Sequence, residues 1–62
     1  MKLDKVKIIT ELTKQEVTQT ELAKRIGYNR SFISGVCNGR NCGIRTAKAI
    51  AEALGVNVKD LV

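Results

Sequence analysis

The 62-residue sequence has no proline, no tryptophan and no histidine, and it carries one tyrosine and one phenylalanine. Without histidine, the commonest general base and metal ligand is missing. Two aromatic rings cannot build the stacking platform of a single-strand nucleic-acid binder. The two cysteines fall well short of a disulfide framework, which points to a reducing, cytoplasmic setting. Two thiolates without histidine also cannot complete a zinc site. Apolar runs reach only two or three residues, as at Ala49-Ile50-Ala51, so no segment is expected to cross a membrane. The Met1-Lys2 start has no apolar stretch behind it to serve as a signal peptide. Neither a Gly-rich phosphate loop nor a cluster of carboxylates is present. A chain this short buries only about 60% of the surface its unfolded form exposes, so one modest core and no large catalytic pocket are expected. The sequence implies no cofactor and no metal, and an enzyme is the weakest of the functional readings.

Eleven basic and six acidic residues give a net charge of +5. The distribution says more than the total. Between Leu22 and Ala51 lie Lys24, Arg25, Arg30, Arg40, Arg45 and Lys48 with no acidic residue among them, leaving five basic against six acidic elsewhere. All of the excess charge is thus in one half of the chain, as expected of a footprint for a polyanion. An ordinary solvated surface would also account for it.

The hydrophobic spacing predicts an all-α chain of five helical segments. Leu3, Val6, Ile9 and Leu12, flanked by Ile8, suggest a first amphipathic helix ending near Lys14 or Gln15. Thr18 and Glu21 form a Thr-x-x-Glu capping box for a second helix, whose apolar residues are Leu22, Ala23 and Ile26 and whose stop is Gly27. Asn29 is a suitable N-cap for a third helix with a buried stripe of Ile33, Val36 and Cys37, ended by Asn38-Gly39. A polar loop containing Cys42, expected to be exposed, leads to a fourth helix with Ala47, Ile50, Ala51 and Leu54 on its apolar side and Gly55 at its end. Asn57 is placed to cap a last short turn carrying Leu61. Valines 56 and 58 would also suit a strand, but an isolated strand has no partner.

Helices two and three are separated by a turn of about three residues containing Gly27, the layout of a helix-turn-helix. Ala23 is small where two helices must approach closely, and Gly27 sits where the chain must reverse with positive φ. A purely structural helical hairpin would use the same residues.

The run Thr18-Gln19-Thr20-Glu21-Leu22-Ala23-Lys24-Arg25-Ile26-Gly27-Tyr28-Asn29-Arg30-Ser31-Phe32-Ile33-Ser34-Gly35-Val36 resembles the helix-turn-helix of the phage repressor and Cro-like (XRE) family. The likeness continues through Asn38-Gly39 and Ala51-Glu52-Ala53-Leu54-Gly55-Val56 to Asp60-Leu61. It implies a compact five-helix, lambda-repressor-like DNA-binding domain over residues 1–62, with the third helix entering the major groove. It further implies that Gln19 touches phosphate and braces the recognition helix. Asn29, Asn38, Arg40 and Arg45 are expected to join it in meeting or positioning the DNA backbone. Relatives frequently pair an Arg on helix one with a Glu at the end of the recognition helix. Leu12 and Cys37 stand at those positions here, and an apolar pair can replace a buried ion pair without loss.

Helix geometry assigns the readers independently of the family. At roughly 100° per residue from Arg30, Ser34, Asn38, Ser31 and Gly35 fall between about 40° and 140°, while Phe32, Val36, Ile33 and Cys37 occupy about 200° to 340°. Arg30, Ser31, Ser34 and Gly35 are therefore the expected base-reading positions, with Gly35 letting the backbone approach closely. A solvated face is the alternative, although such faces usually carry Glu and Lys and this helix has neither. Gly35 loses about 1 kcal/mol relative to Ala inside a helix. Relatives commonly hold a longer polar reader there, which implies one direct base contact fewer. Tyr28 and Phe32 are expected to pack at the edge of the core.

The expected partner is a double-stranded, near-palindromic operator bound by a homodimer through Val56, Val58, Leu61 and Val62, unless those residues simply close the core. The competing reading is a protein-interaction module, such as an antirepressor or antitoxin component.

Overall fold

The computed structural model describes residues 1–62 and contains four α-helices: α1 (Lys5–Gln15), α2 (Gln19–Ile26), α3 (Arg30–Cys37) and α4 (Ile44–Leu54). Their boundaries follow from their caps. The Asp4 carboxylate accepts from the Lys7 amide at 3.0 Å to start α1. Thr18 and Glu21 form the expected capping box, with the Glu21 amide donating to Thr18 Oγ1 at 3.0 Å and the Thr18 amide to Glu21 Oε1 at 3.1 Å. The bond from the Thr18 backbone is the main reason the Glu21 carboxyl is held below its ordinary range.

The last short turn after Asn57 is present, but it does not make a fifth helix. Val58–Asp60 is a single 3₁₀ turn rather than a helix. The Asp60 carboxylate accepts from the Asn57 amide at 3.1 Å, and the amides of Asp60 and Leu61 reach back three residues, to Asn57 and Val58, at 2.9 Å each. Three residues between the cap and a buried Leu61 leave no room for an i to i+4 ladder. Neither Val56 nor Val58 enters a strand.

Fifteen buried hydrophobic residues form one core, in which Ile8, Leu22, Ile33, Val36, Cys37, Ile50 and Leu61 are fully enclosed. Packing of α2 against α3 and α4, and of α1 against the same two helices, closes it. Ala23, Ala47 and Ala51 are also buried, and their small side chains keep these short helices close.

The stripe on α1 needs correcting. Val6 is 72% exposed, whereas Ile8 and Leu12 are buried and Ile9 lies at the margin. Val6 and Ile8 stand about 200° apart on a helical wheel, so only one can face the core, and Leu12, one turn beyond Ile8, selects it. Leu3 reaches the core from the extended segment before the Asp4 cap, whose amide donates to Leu61 O at 2.6 Å.

Two further expectations change. Cys42 is buried, not exposed: its amide donates to Met1 O at 2.8 Å and its carbonyl accepts from the Met1 ammonium at 2.9 Å, drawing the loop inward. Both cysteines are free thiols. At the C-terminus, Leu61 is enclosed and Val56 and Val58 pack on the core, leaving only Val62 exposed among the residues expected to pair two copies. No helix is long and apolar enough to cross a membrane.

Ile8→Ala should destabilise the chain by ~2–5 kcal/mol, whereas Val6→Ala should shift it by no more than about 0.5 kcal/mol. Urea unfolding followed by circular dichroism checks the pair, and similar midpoints for the two variants would contradict the packing of α1. Cys37 gives a pH prediction. Burial pushes its thiol from 9.0 up to about 11, so the unfolded chain ionises first as pH rises. The stability from keeping this thiol neutral is intact below pH 9 and lost progressively toward pH 11. At pH 8, iodoacetamide should spare Cys37 in the folded chain and label it in urea, as read by peptide mass spectrometry.

Candidate nucleic-acid interface

The turn between α2 and α3 fixes how α3 is presented. Gly27 adopts φ 72°, and a Cβ there would meet nothing within 4 Å. The requirement for glycine is therefore conformational rather than steric. The Tyr28 amide closes the end of α2 on Ala23 O at 2.9 Å. Asn29 then starts α3, its Oδ1 accepting from the Ser31 amide at 2.8 Å and the Phe32 amide at 3.4 Å. The Tyr28 and Phe32 rings stack with centroids 5.9 Å apart at 18° and pack half-buried against the core, in agreement with the edge-packing expectation.

Ile33, Val36 and Cys37 are completely enclosed. On the opposite flank, Arg30, Ser31 and Asn38 are exposed and Ser34 and Gly35 half-exposed. The four expected readers thus share one accessible surface. Leu12 and Cys37, standing where relatives carry an ion pair, both lie in the apolar core.

The positioning residues differ in their surroundings. Asn38 forms the C-cap of α3, and its Nδ2 donates to Ser34 O at 2.8 Å, so part of its amide is engaged in ending the helix. Gln19, half-buried, is the first residue of α2, and Arg45 is exposed in the first turn of α4. Neither hydrogen-bonds to α3. Arg40 is exposed in the loop after α3, and its amide donates to Gly35 O at 3.0 Å.

One feature escaped the periodicity argument. The space beside Gly35 is occupied: a Cβ built there would stand 3.3 Å from Arg40 Nε and 3.4 Å from Arg40 Cδ and Cζ. The Arg40 side chain lies against Gly35 on the polar flank of α3, where bare backbone is the sequence-based expectation. Helical spacing carries no trace of this, because the contact is made by a residue beyond the helix; the only hint is Gly39, whose φ of 97° turns the chain back.

The electrostatics are simple. The only ion pair, Lys14 with Glu11 at 3.7 Å, is on α1. Lys24, Arg25, Arg30, Arg40, Arg45 and Lys48 are all exposed and none is paired with a carboxylate. Exposed cations without a paired carboxylate attract a polyanion from a distance and then bind it through its charges. An open groove between α2 and α4, lined by Arg25, Ile26, Ala49, Glu52 and Ala53, includes no residue of α3.

A family model described as helix-turn-helix matches residues 8–61. Among curated proteins, the chain is 51% identical over 41 residues to the HTH-type transcriptional regulator for conjugative element SXT of Vibrio cholerae. It is equally similar to the corresponding regulator for conjugative element pMERPH of Shewanella putrefaciens. Each match covers 66% of this chain and 19% of the relative's length. No solved structure matches significantly. With nearly its whole length matched, and with the capped α2, the Gly27 turn and the two-sided α3 in place, the chain belongs to the helix-turn-helix family, among its phage repressor/Cro-like (XRE) members.

Proposed function

We propose that residues 1–62 act as one sequence-specific, double-stranded DNA-binding domain of a cytoplasmic, phage-type transcriptional repressor, which occupies an operator and excludes polymerase. The observation that carries this reading is the outer flank of α3. It is accessible, free of carboxylates and rigidly backed by three enclosed side chains. Similarity to regulators of conjugative elements supports a role in transcription.

In the complex, α3 lies in the major groove. Arg30 offers a guanidinium fork suited to guanine O6 and N7, and the Ser31 and Ser34 hydroxyls donate to or accept from base edges. Gln19, Asn29, Asn38 and Arg45 set the register through the backbone, and Arg40 adds a cation beside the end of α3. Two copies on a near-palindromic operator place their recognition helices about 34 Å apart, one turn of DNA. With Leu61 in the core and Val56 and Val58 packed on it, residues 56–62 leave only Val62 exposed for pairing, so within residues 1–62 the homodimer is expected to depend on DNA.

Arg30→Ala should weaken binding to a selected operator by ~1–3 kcal/mol while changing random-duplex binding far less, and Arg45→Ala should weaken both alike and lower the salt slope by about 1. Fluorescence anisotropy across a salt series measures all of these. Equal losses for Arg30→Ala on operator and random duplex would remove the base-reading role. Binding that hardly responds to salt would favour a protein partner, since phosphate contacts make affinity fall steeply with salt.

A further inference from the structure

We propose that Arg40 is a base-reading residue, and that Gly35 is glycine so that the Arg40 guanidinium can lie on the reading face of α3. The inference rests on the DNA-binding reading above and adds a specificity determinant to it. A glycine within the polar flank of the recognition helix leaves one position of the groove without a reader. The structure fills that gap from outside the helix. Three consecutive atoms of Arg40, Cδ, Nε and Cζ, lie 3.3–3.4 Å from where a Gly35 Cβ would stand. Nε stands closer than ordinary van der Waals contact and Cδ and Cζ at its limit, so an added Cβ at 35 requires the Arg40 side chain to shift by a few tenths of an ångström.

The arginine is also delivered from a fixed point. The Asn38 amide closes on the carbonyls of Ser34 and Gly35 at 3.1 Å, Gly39 turns the chain with φ 97°, and the Arg40 amide bonds Gly35 O at 3.0 Å. Position 40 is thereby anchored to position 35 through backbone as well as side chain. No carboxylate pairs with the guanidinium, and the stretch from Leu22 to Ala51 contains none. Its donors remain available, and a planar fork held against Gly35, on the flank of α3 that also carries Ser31 and Ser34, suits guanine O6 and N7. A cation serving only phosphate would need charge and reach, but no cleared seat on the groove-facing side.

The test begins with selection of bound duplexes from a random pool by the wild-type chain. Affinities of wild type, Arg40→Ala, Arg40→Lys, Gly35→Ala and the Gly35→Ala/Arg40→Ala double variant are then measured on the selected duplex, on each of its single-base-pair variants and on random duplex. Arg40→Ala is expected to lower affinity for the selected duplex roughly 5- to 150-fold, the range for one bidentate base contact, and to erase preference at one base pair while changing random-duplex affinity much less. Arg40→Lys, which keeps the charge and loses the fork, should erase the same preference. Gly35→Ala favours the helix, so folding is not at risk. It should weaken preference at that same base pair and have little further effect once Arg40 is gone. A uniform loss for Arg40→Ala on every duplex, restored by Arg40→Lys, would make Arg40 a phosphate contact and overturn the inference while leaving the DNA-binding reading intact. A Gly35→Ala effect of the same size with and without Arg40 would also overturn it, by showing that the methyl group acts on DNA directly. Failure of the wild-type chain to enrich any sequence would overturn both readings.

Discussion

Burial of three side chains, Ile33, Val36 and Cys37, fixes the orientation of α3 and with it everything the surface can do. All three have no exposed area, and they lie on one flank of an eight-residue helix. A helix this short is marginal in isolation, so its existence depends on that packing. Rotation about its axis would bring the serines inward and expose the apolar stripe. The polar flank is thus held outward by the hydrophobic effect acting on the other side, and its fixed presentation is inherited from the core.

The charge pattern acts on a different length scale. Exposed cations attract DNA over about 10 Å at ordinary salt, well before any base edge is within reach. An acidic residue between Leu22 and Ala51 would screen that attraction or draw an arginine into an ion pair. The chain has none there, and its one ion pair lies on α1. In the proposed function, steering and reading are therefore divided: dispersed cations bring the domain to the duplex, and a small set of side chains on one flank would discriminate among sequences.

Much of this was legible in the sequence because it depends on neighbours within one or two turns. The Thr18–Glu21 box, the positive φ at Gly27, the Asn29 cap and the stripes of α3 and α4 all follow from local spacing and local hydrogen bonding. The misses arise where local spacing leaves a choice open or where distant residues decide. Val6 and Ile8 are equally apolar, and only the presence of Leu12 one turn beyond Ile8 decides which faces inward. Cys42 is polar-loop sequence that becomes buried because it pairs with Met1, forty-one positions away. Leu61 and its neighbours read as a pairing surface until Asp4 is seen bonding to Leu61 across nearly the whole chain. In the candidate site, the accessible polar flank of α3 was visible from the helical wheel, whereas the seating of Arg40 was not, since it arises from a turn.

That turn alters the meaning of Gly35. Considered as a helix residue it is a defect, weakening α3. Considered with Gly39 and Arg40 it is one part of a three-residue arrangement, in which one glycine clears a seat, a second reverses the chain and an arginine occupies the space. A reader built into α3 at position 35 would have been limited by the rotamers of a helical side chain. In the proposed role, Arg40 arriving from the loop would bring a longer, planar, permanently charged group to the same surface, while its backbone bond to Gly35 limits the freedom it would otherwise have to lose on binding. The helix gives up some intrinsic stability at one position, and the enclosed residues on its other flank hold it in place despite that loss.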